Sequence, residues 1–105
     1  MDVEILDVCK KELRGFPKEV LEDFLDAVAK LRRGLTLSMP LSRKMNSLGA
    51  QVYELRLKDK TGIYRVIYFV KKKEAIYMVH AFKKKSQKTP ERNLNLAVKR
   101  IKRLK

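Results

Sequence analysis

Residues 52–82, VYELRLKDKTGIYRVIYFVKKKEAIYMVHAF, decide the fold. From Val52 to Leu57 the side chains alternate, with Tyr53, Leu55 and Leu57 on one face and Glu54 and Arg56 on the other, which is the period of a strand. Lys58 to Gly62 is polar and ends in glycine, as a hairpin loop does. Ile63 to Val70 is apolar on both faces except at Arg65, as a central strand is. Lys71 to Glu74 is the next turn, and Ala75 to Phe82 the third strand. These residues predict a three-stranded antiparallel meander.

Before the meander, Val20, Leu21, Phe24, Leu25, Val28 and Leu31 recur at spacings of three and four, which places a helix over Pro17 to Arg33. Pro17 suits its first turn and Gly34 its exit, with acids near the start and bases near the end, where the helix dipole favours them. Residues 34–51, with Gly34, Pro40, Asn46, Ser47 and Gly49, read as a connector. At the N-terminus, Val3 to Val8 suggests a short strand, with an early start of that helix at Lys10 to Gly15 as the alternative. Beyond the meander, Thr89-Pro90-Glu91 is a helix start, and Leu94, Ala97, Val98, Ile101 and Leu104 form a narrow apolar stripe. Arg92, Lys99, Arg100, Lys102 and Arg103 lie on its other faces. The expectation is one α+β domain over residues 1–105. It comprises the antiparallel meander, a possible N-terminal strand, helices packed on one face of the sheet, and a C-terminal helix.

At 105 residues and 12.3 kDa the chain has material for one core and no second. Lys and Arg outnumber Asp and Glu by 26 to 12, a net charge of +14, so the surface attracts polyanions. The excess is uneven: residues 51–105 hold 17 basic and four acidic side chains, whereas residues 1–50 hold nine and eight. The second half is therefore where a polyanion site is expected. The longest apolar run, Val66 to Val70, is far too short to cross a bilayer, and the N-terminus lacks a signal pattern, so a cytoplasmic protein without membrane association is expected. One cysteine, Cys9, and one histidine, His80, make neither a disulfide framework nor a structural zinc site. No metal or cofactor is expected, and Cys9 reads as a buried apolar side chain.

Alternation puts Glu54 and Arg56 on one surface, and pairing through the 58–62 loop brings Arg65 to it. A guanidinium in an apolar strand needs a carboxylate partner or a ligand anion; Glu54 is the available partner, a cleft the alternative. His80-Ala81-Phe82-Lys83-Lys84-Lys85 runs off the third strand beside that face, and Lys88 follows. Cleaving RNA without metal requires a base for the 2′-hydroxyl, donors for the extra charge on phosphorus, and an acid for the leaving 5′-oxygen. Arg, Lys, Glu and His supply those functions, although basic strands also bind RNA without cutting it. Tyr64, Tyr68, Phe69 and Tyr77 read as core residues rather than base-stacking platforms.

Three blocks, Leu48 to Arg56, Tyr64 to Phe69 and His80 to Pro90, together resemble the HigB-like, phage-derived branch of the RelE/ParE toxin superfamily. The resemblance implies a toxin of a type II toxin–antitoxin pair that cleaves messenger RNA at the ribosome and inhibits translation. Its implied partner is a HigA-like helix-turn-helix antitoxin from an adjacent gene. By matching positions, Arg56 and Arg65 are the implied phosphate-binding and transition-state arginines, and Lys84, with Lys83 or Lys85, the basic group after the last strand. Some RNA-cleaving relatives use a tyrosine near the C-terminus, but this chain has none after Tyr77. Glu54 and His80 are therefore the candidates for proton transfer. Lys58, Lys83, Lys85, Lys88 and Phe82 complete the expected RNA contacts. The same superfamily contains ParE-like gyrase inhibitors, which is the alternative function, and a non-catalytic basic RNA-binding module is a further one.

Overall fold

The computed structural model describes residues 1–85 and 88–105. Eight regular elements follow one another: β1 (Val3–Ile5), α1 (Asp7–Leu13), α2 (Lys18–Arg32), β2 (Ser42–Lys44), β3 (Val52–Asp59), β4 (Gly62–Lys71), β5 (Ala75–Lys84) and α3 (Glu91–Lys102). The meander is the centre of a five-stranded sheet of order β1-β5-β4-β3-β2. β1 joins the outer edge of β5 in parallel through Val3–Ile76 to Ile5–Met78, and β2 pairs antiparallel with β3. The N-terminal strand therefore exists but stops at Ile5, because Asp7 already starts α1, which buries Cys9 and Leu13. Burial pushes the Cys9 thiol up to about 12, so it packs as an apolar side chain. The connector is less irregular than its composition suggests. Ser42–Lys44 forms an edge strand, too short to show a period, and Ser42 anchors it through a 2.6 Å bond to the Tyr68 hydroxyl.

α1 and α2 cover one face of the sheet and α3 the other. The reason lies in β4, where Val66 and Tyr68 join the core beneath α1 and α2, while Ile67 and Phe69 join Val52, Val79, Ala97 and Ile101 beneath α3. Helices on one face only, as expected from the sequence, would leave Ile67 and Phe69 in water, at roughly 1.5–3 kcal/mol for each large apolar side chain. α2 buries Val20, Phe24, Ala27, Val28 and Leu31. Leu25 of the expected stripe is 58% exposed, since Ala27 takes the inward position.

The loops are tighter than expected. Asp59 pairs with Gly62, and the Asp59 carboxylate closes the turn by accepting the Thr61 N–H at 2.8 Å. Gly62 has φ +149°, a left-handed backbone conformation that favours glycine, and a Cβ there would also press on the flexible Lys83 side chain, with Cε at 2.9 Å.

One irregularity sets the chemistry. Between β4 and β5 the register slips: Ile67 pairs with His80 but Tyr68 with Met78, which leaves Val79 as a bulged residue. Val79 and His80 therefore both turn toward α3. Strict alternation would have put His80 on the face of Met78, under α1.

Candidate functional site

The ladders carry the polar residues of the meander to one place. Arg56 lies opposite Arg65, which lies opposite Phe82; one row along, Arg43 lies opposite Glu54, Glu54 opposite Ile67, and Ile67 opposite His80. Directly paired residues share a face. Arg43, Glu54, Arg56, Arg65 and Lys84 thus all belong to the α3 side of the sheet, beyond the end that α3 covers. There Arg43, Met45, Glu54, Arg56, Lys84, Lys88, Thr89 and Leu94 line a groove of about 340 Å³.

At the floor of this surface, Arg65 and Glu54 are buried, with side chains 6% and 4% exposed. Their approach is loose: Arg65 Nε stands 3.6 Å from Glu54 Oε1 and has no hydrogen-bond partner among the described residues. Nη1 donates to the Tyr64 carbonyl at 3.2 Å, and the Thr89 hydroxyl reaches Glu54 Oε2 at 3.5 Å. Burial holds the Arg65 guanidinium below its ordinary pKa; Glu54 pulls it back up and the neighbouring Arg56 lowers it further. An arginine remains charged in such a site, so Arg65 is a positive charge with incomplete compensation in a low-dielectric wall. Arg56 is half-buried, and Nη1 lies 3.5 Å from Met39 Sδ. Neither Arg43, Arg56 nor Lys84 forms a salt bridge among the described residues.

The lysines after β5 separate by alternation. Lys84 pairs with Ile63 on the groove side, whereas Lys83 pairs with Tyr64 and carries its Nζ 5.7 Å above that ring, on the opposite face. Lys83 is therefore not a groove residue. Lys85 is exposed just past the strand, and Lys58 is exposed at the hairpin end on the groove side. The Ser86-Gln87 part of the basic motif lies outside the described residues.

His80 and Phe82 face the same side without being open to it. Phe82 is 8% exposed and stacks on His80 with ring centroids 5.0 Å apart, which makes it a core residue rather than an RNA platform. Both His80 nitrogens are taken: Nδ1 is 2.9 Å from Glu12 Oε2 and Nε2 is 2.7 Å from Asn93 Oδ1. Glu12 also accepts bonds from Arg100 at 2.9 Å and from the Ala81 N–H at 3.2 Å, beyond the stretch of β5 that β1 covers. Arg100 in turn donates to the Val79 carbonyl at the bulge. Burial of the Glu12 carboxyl raises its pKa, but the bonds from Arg100, Ala81 and His80 outweigh burial and hold it below the ordinary value. This knot ties α1, β5 and α3 together and takes His80 out of proton transfer. It also turns Arg100 inward, away from the solvated basic face expected of the last helix. No sequence period marks Glu12, Asn93 or Arg100 as partners. Arg43 was hidden in the connector for the same reason.

Comparison with known proteins bears on the family and the fold. A family model described as phage-derived, Gp49-like protein matches residues 11–102. The chain belongs to the Gp49-like family. No curated protein gives a significant match to this Gp49-like chain. A solved structure of the Escherichia coli toxin RelE, a double arginine-to-alanine mutant in the free state, superposes on it with a TM-score of 0.68, covering 99% of this chain and 97% of that one at 14% identity. The Gp49-like protein therefore has the RelE fold.

Proposed function

We propose that this Gp49-like protein is the toxin of a type II toxin–antitoxin pair, HigB-like in its branch, which cleaves messenger RNA at the ribosome without a metal. The observation that carries the reading is the convergence of Arg43, Arg56, Arg65 and Lys84 around the buried Glu54, with one Arg65 N–H left without a partner among the described residues. Such a wall favours a ligand that brings negative charge and acceptor oxygens, as a phosphodiester does. The family match and the likeness in fold to a toxin support the same reading.

In the proposed reaction, Glu54 takes the proton of a 2′-hydroxyl and the 2′-oxygen forms a bond to phosphorus. Arg56 and Arg65 hold the non-bridging oxygens as charge builds. The bond to the 5′-oxygen then breaks, and Lys84, the ammonium group on the groove side of β5, supplies the leaving proton. The products are a 2′,3′-cyclic phosphate and a 5′-hydroxyl. Arg43 and Lys88 extend the basic track along the RNA backbone. His80 contributes by fixing β5 through Glu12 and Asn93 rather than by proton transfer. A helix-turn-helix antitoxin, HigA-like and encoded nearby, is the partner this reading requires.

Inducible expression with mapping of the 5′ ends of cellular messages tests the proposal. Induction of the parent is expected to stop growth and produce new 5′-hydroxyl ends within coding regions, and Arg65→Ala to produce neither. Folded Arg56→Ala and Arg65→Ala proteins that inhibit growth like the parent overturn the site. Broken DNA with intact transcripts identifies a gyrase inhibitor instead.

A further inference from the structure

Arg56 stands between two concavities. On one side is the groove around Glu54. On the other lies a cleft of about 460 Å³ lined by Pro40, Leu41, Leu57 and Ile63, with Arg56, Lys58 and Arg65 as its charged members. Its composition differs from that of the groove: the walls are aliphatic, and every charged group is a donor. One of the exposed large apolar side chains, Ile63 at 41%, lines it, and Met39, 55% exposed, touches its Arg56 through the sulfur. Ile63 faces the α3 side of β4, next to Lys84 across the ladder and two residues from Arg65, and the cleft and the groove share Arg56, so the cleft adjoins a phosphate held in the groove.

We infer that the Pro40–Leu41–Ile63 cleft is a base-binding subsite, which takes a guanine adjacent to the phosphate held in the groove; the inference rests on the proposed RNA-cleaving function. Aliphatic walls take the flat face of a base and are indifferent to its identity. The charged lining selects, because Arg and Lys donate and accept nothing. Guanine presents two acceptors, N7 and O6, along one edge, and they match an arginine fork; adenine presents one acceptor beside a donor, and cytosine a donor amine, which would meet Arg56 and Lys58 unfavourably. Arg56 thereby has a dual role, as one guanidinium borders both the phosphate and the base.

The test uses the full-length protein and short 2′-O-methyl RNAs that cannot be cleaved, identical except for G, A, C or U at the central position, titrated by fluorescence anisotropy at fixed salt. The parent is expected to prefer the G oligonucleotide by roughly fivefold or more, the low end for one arginine–guanine fork. Ile63→Val, which keeps the wall, is expected to retain the preference. Ile63→Asp, which places an acceptor and a negative charge at the cleft, is expected to bring it below about twofold by repelling the O6/N7 edge. Thermal unfolding of each variant shows whether it is folded, and an exposed position at the start of β4 tolerates both substitutions. Equal affinity of the parent for all four oligonucleotides overturns the inference, as does an undiminished preference in folded Ile63→Asp. Because nothing is cleaved, these outcomes are independent of the 5′-end mapping: messages cut without a guanine bias in binding would remove the subsite alone, and a guanine preference without cut messages would remove the nuclease.

Discussion

Two charged clusters lie on the α3 side of the sheet, built from the same residue types and ending in opposite states. Around His80, a carboxylate, an imidazole, an amide and a guanidinium meet at 2.7 to 2.9 Å, and Glu12 accepts a backbone N–H as well. Around Arg65, a carboxylate and a guanidinium that are at least as buried stand 3.6 Å apart, and Nε has no partner among the described residues. A buried polar group left unmatched costs free energy, so a fold keeps few of them. The first cluster holds three elements together. The second leaves a guanidinium N–H unmatched among the described residues with basic side chains gathered around it, and the proposed function uses it to hold a phosphate.

The contrast can be broken by mutation. The largest effect is expected from Arg56→Ala, which should lower RNA cleavage by roughly a hundredfold to a thousandfold, the scale for loss of one transition-state donor. Its melting temperature should stay near that of the parent, because its described side-chain contact is with a methionine sulfur. Single-turnover cleavage and thermal unfolding on the same preparations check both halves. In the His80 cluster the order reverses: Glu12→Ala should destabilise the protein by about 1–2 kcal/mol, since it removes the carboxylate shared by the part-buried Arg100 guanidinium, the buried His80 Nδ1 and the Ala81 N–H. Urea unfolding measures it, and a loss below about 0.5 kcal/mol would show that the knot is ornamental.

A smaller effect, of opposite sign, is expected when Glu54 and Arg65 are replaced together by leucine. Exchanging a buried, poorly bonded ion pair for apolar side chains should leave stability unchanged or raise it by about 1 kcal/mol, while abolishing cleavage. A clear loss of stability would mean that the pair is structural after all. The least effect concerns acid. The Glu12 carboxyl is held below its ordinary value of 4.5, so its contribution is fully present above that pH and is lost as the pH falls through the depressed folded-state value. Glu12→Gln should therefore flatten the acid limb of the stability profile and leave its shape near neutrality unchanged.

Much of the fold was legible because the meander carries its own periods. Alternation in Val52 to Leu57 and the doubly apolar run of β4 depend only on which side chains water excludes, and these reveal the strands, their order and the shared face of Arg56 and Arg65. The last helix was legible from its stripe, but not the face it covers. That required noticing that Ile67 and Phe69 need shelter from α3 while Val66 and Tyr68 are served by α1 and α2.

By itself, then, the sequence determined an α+β fold class, a basic second half, and the convergence of Glu54, Arg56 and Arg65, because strand period and net charge are local or additive properties. Tertiary structure alone decided which groups are free to act. The bulge at Val79 turned His80 toward Asn93 and Glu12, the edge strand β2 delivered Arg43, and Lys83 went to one face while Lys84 went to the other. Whether a side chain is poised or already satisfied depends on partners from distant parts of the chain, and one inserted residue in a ladder is enough to change them.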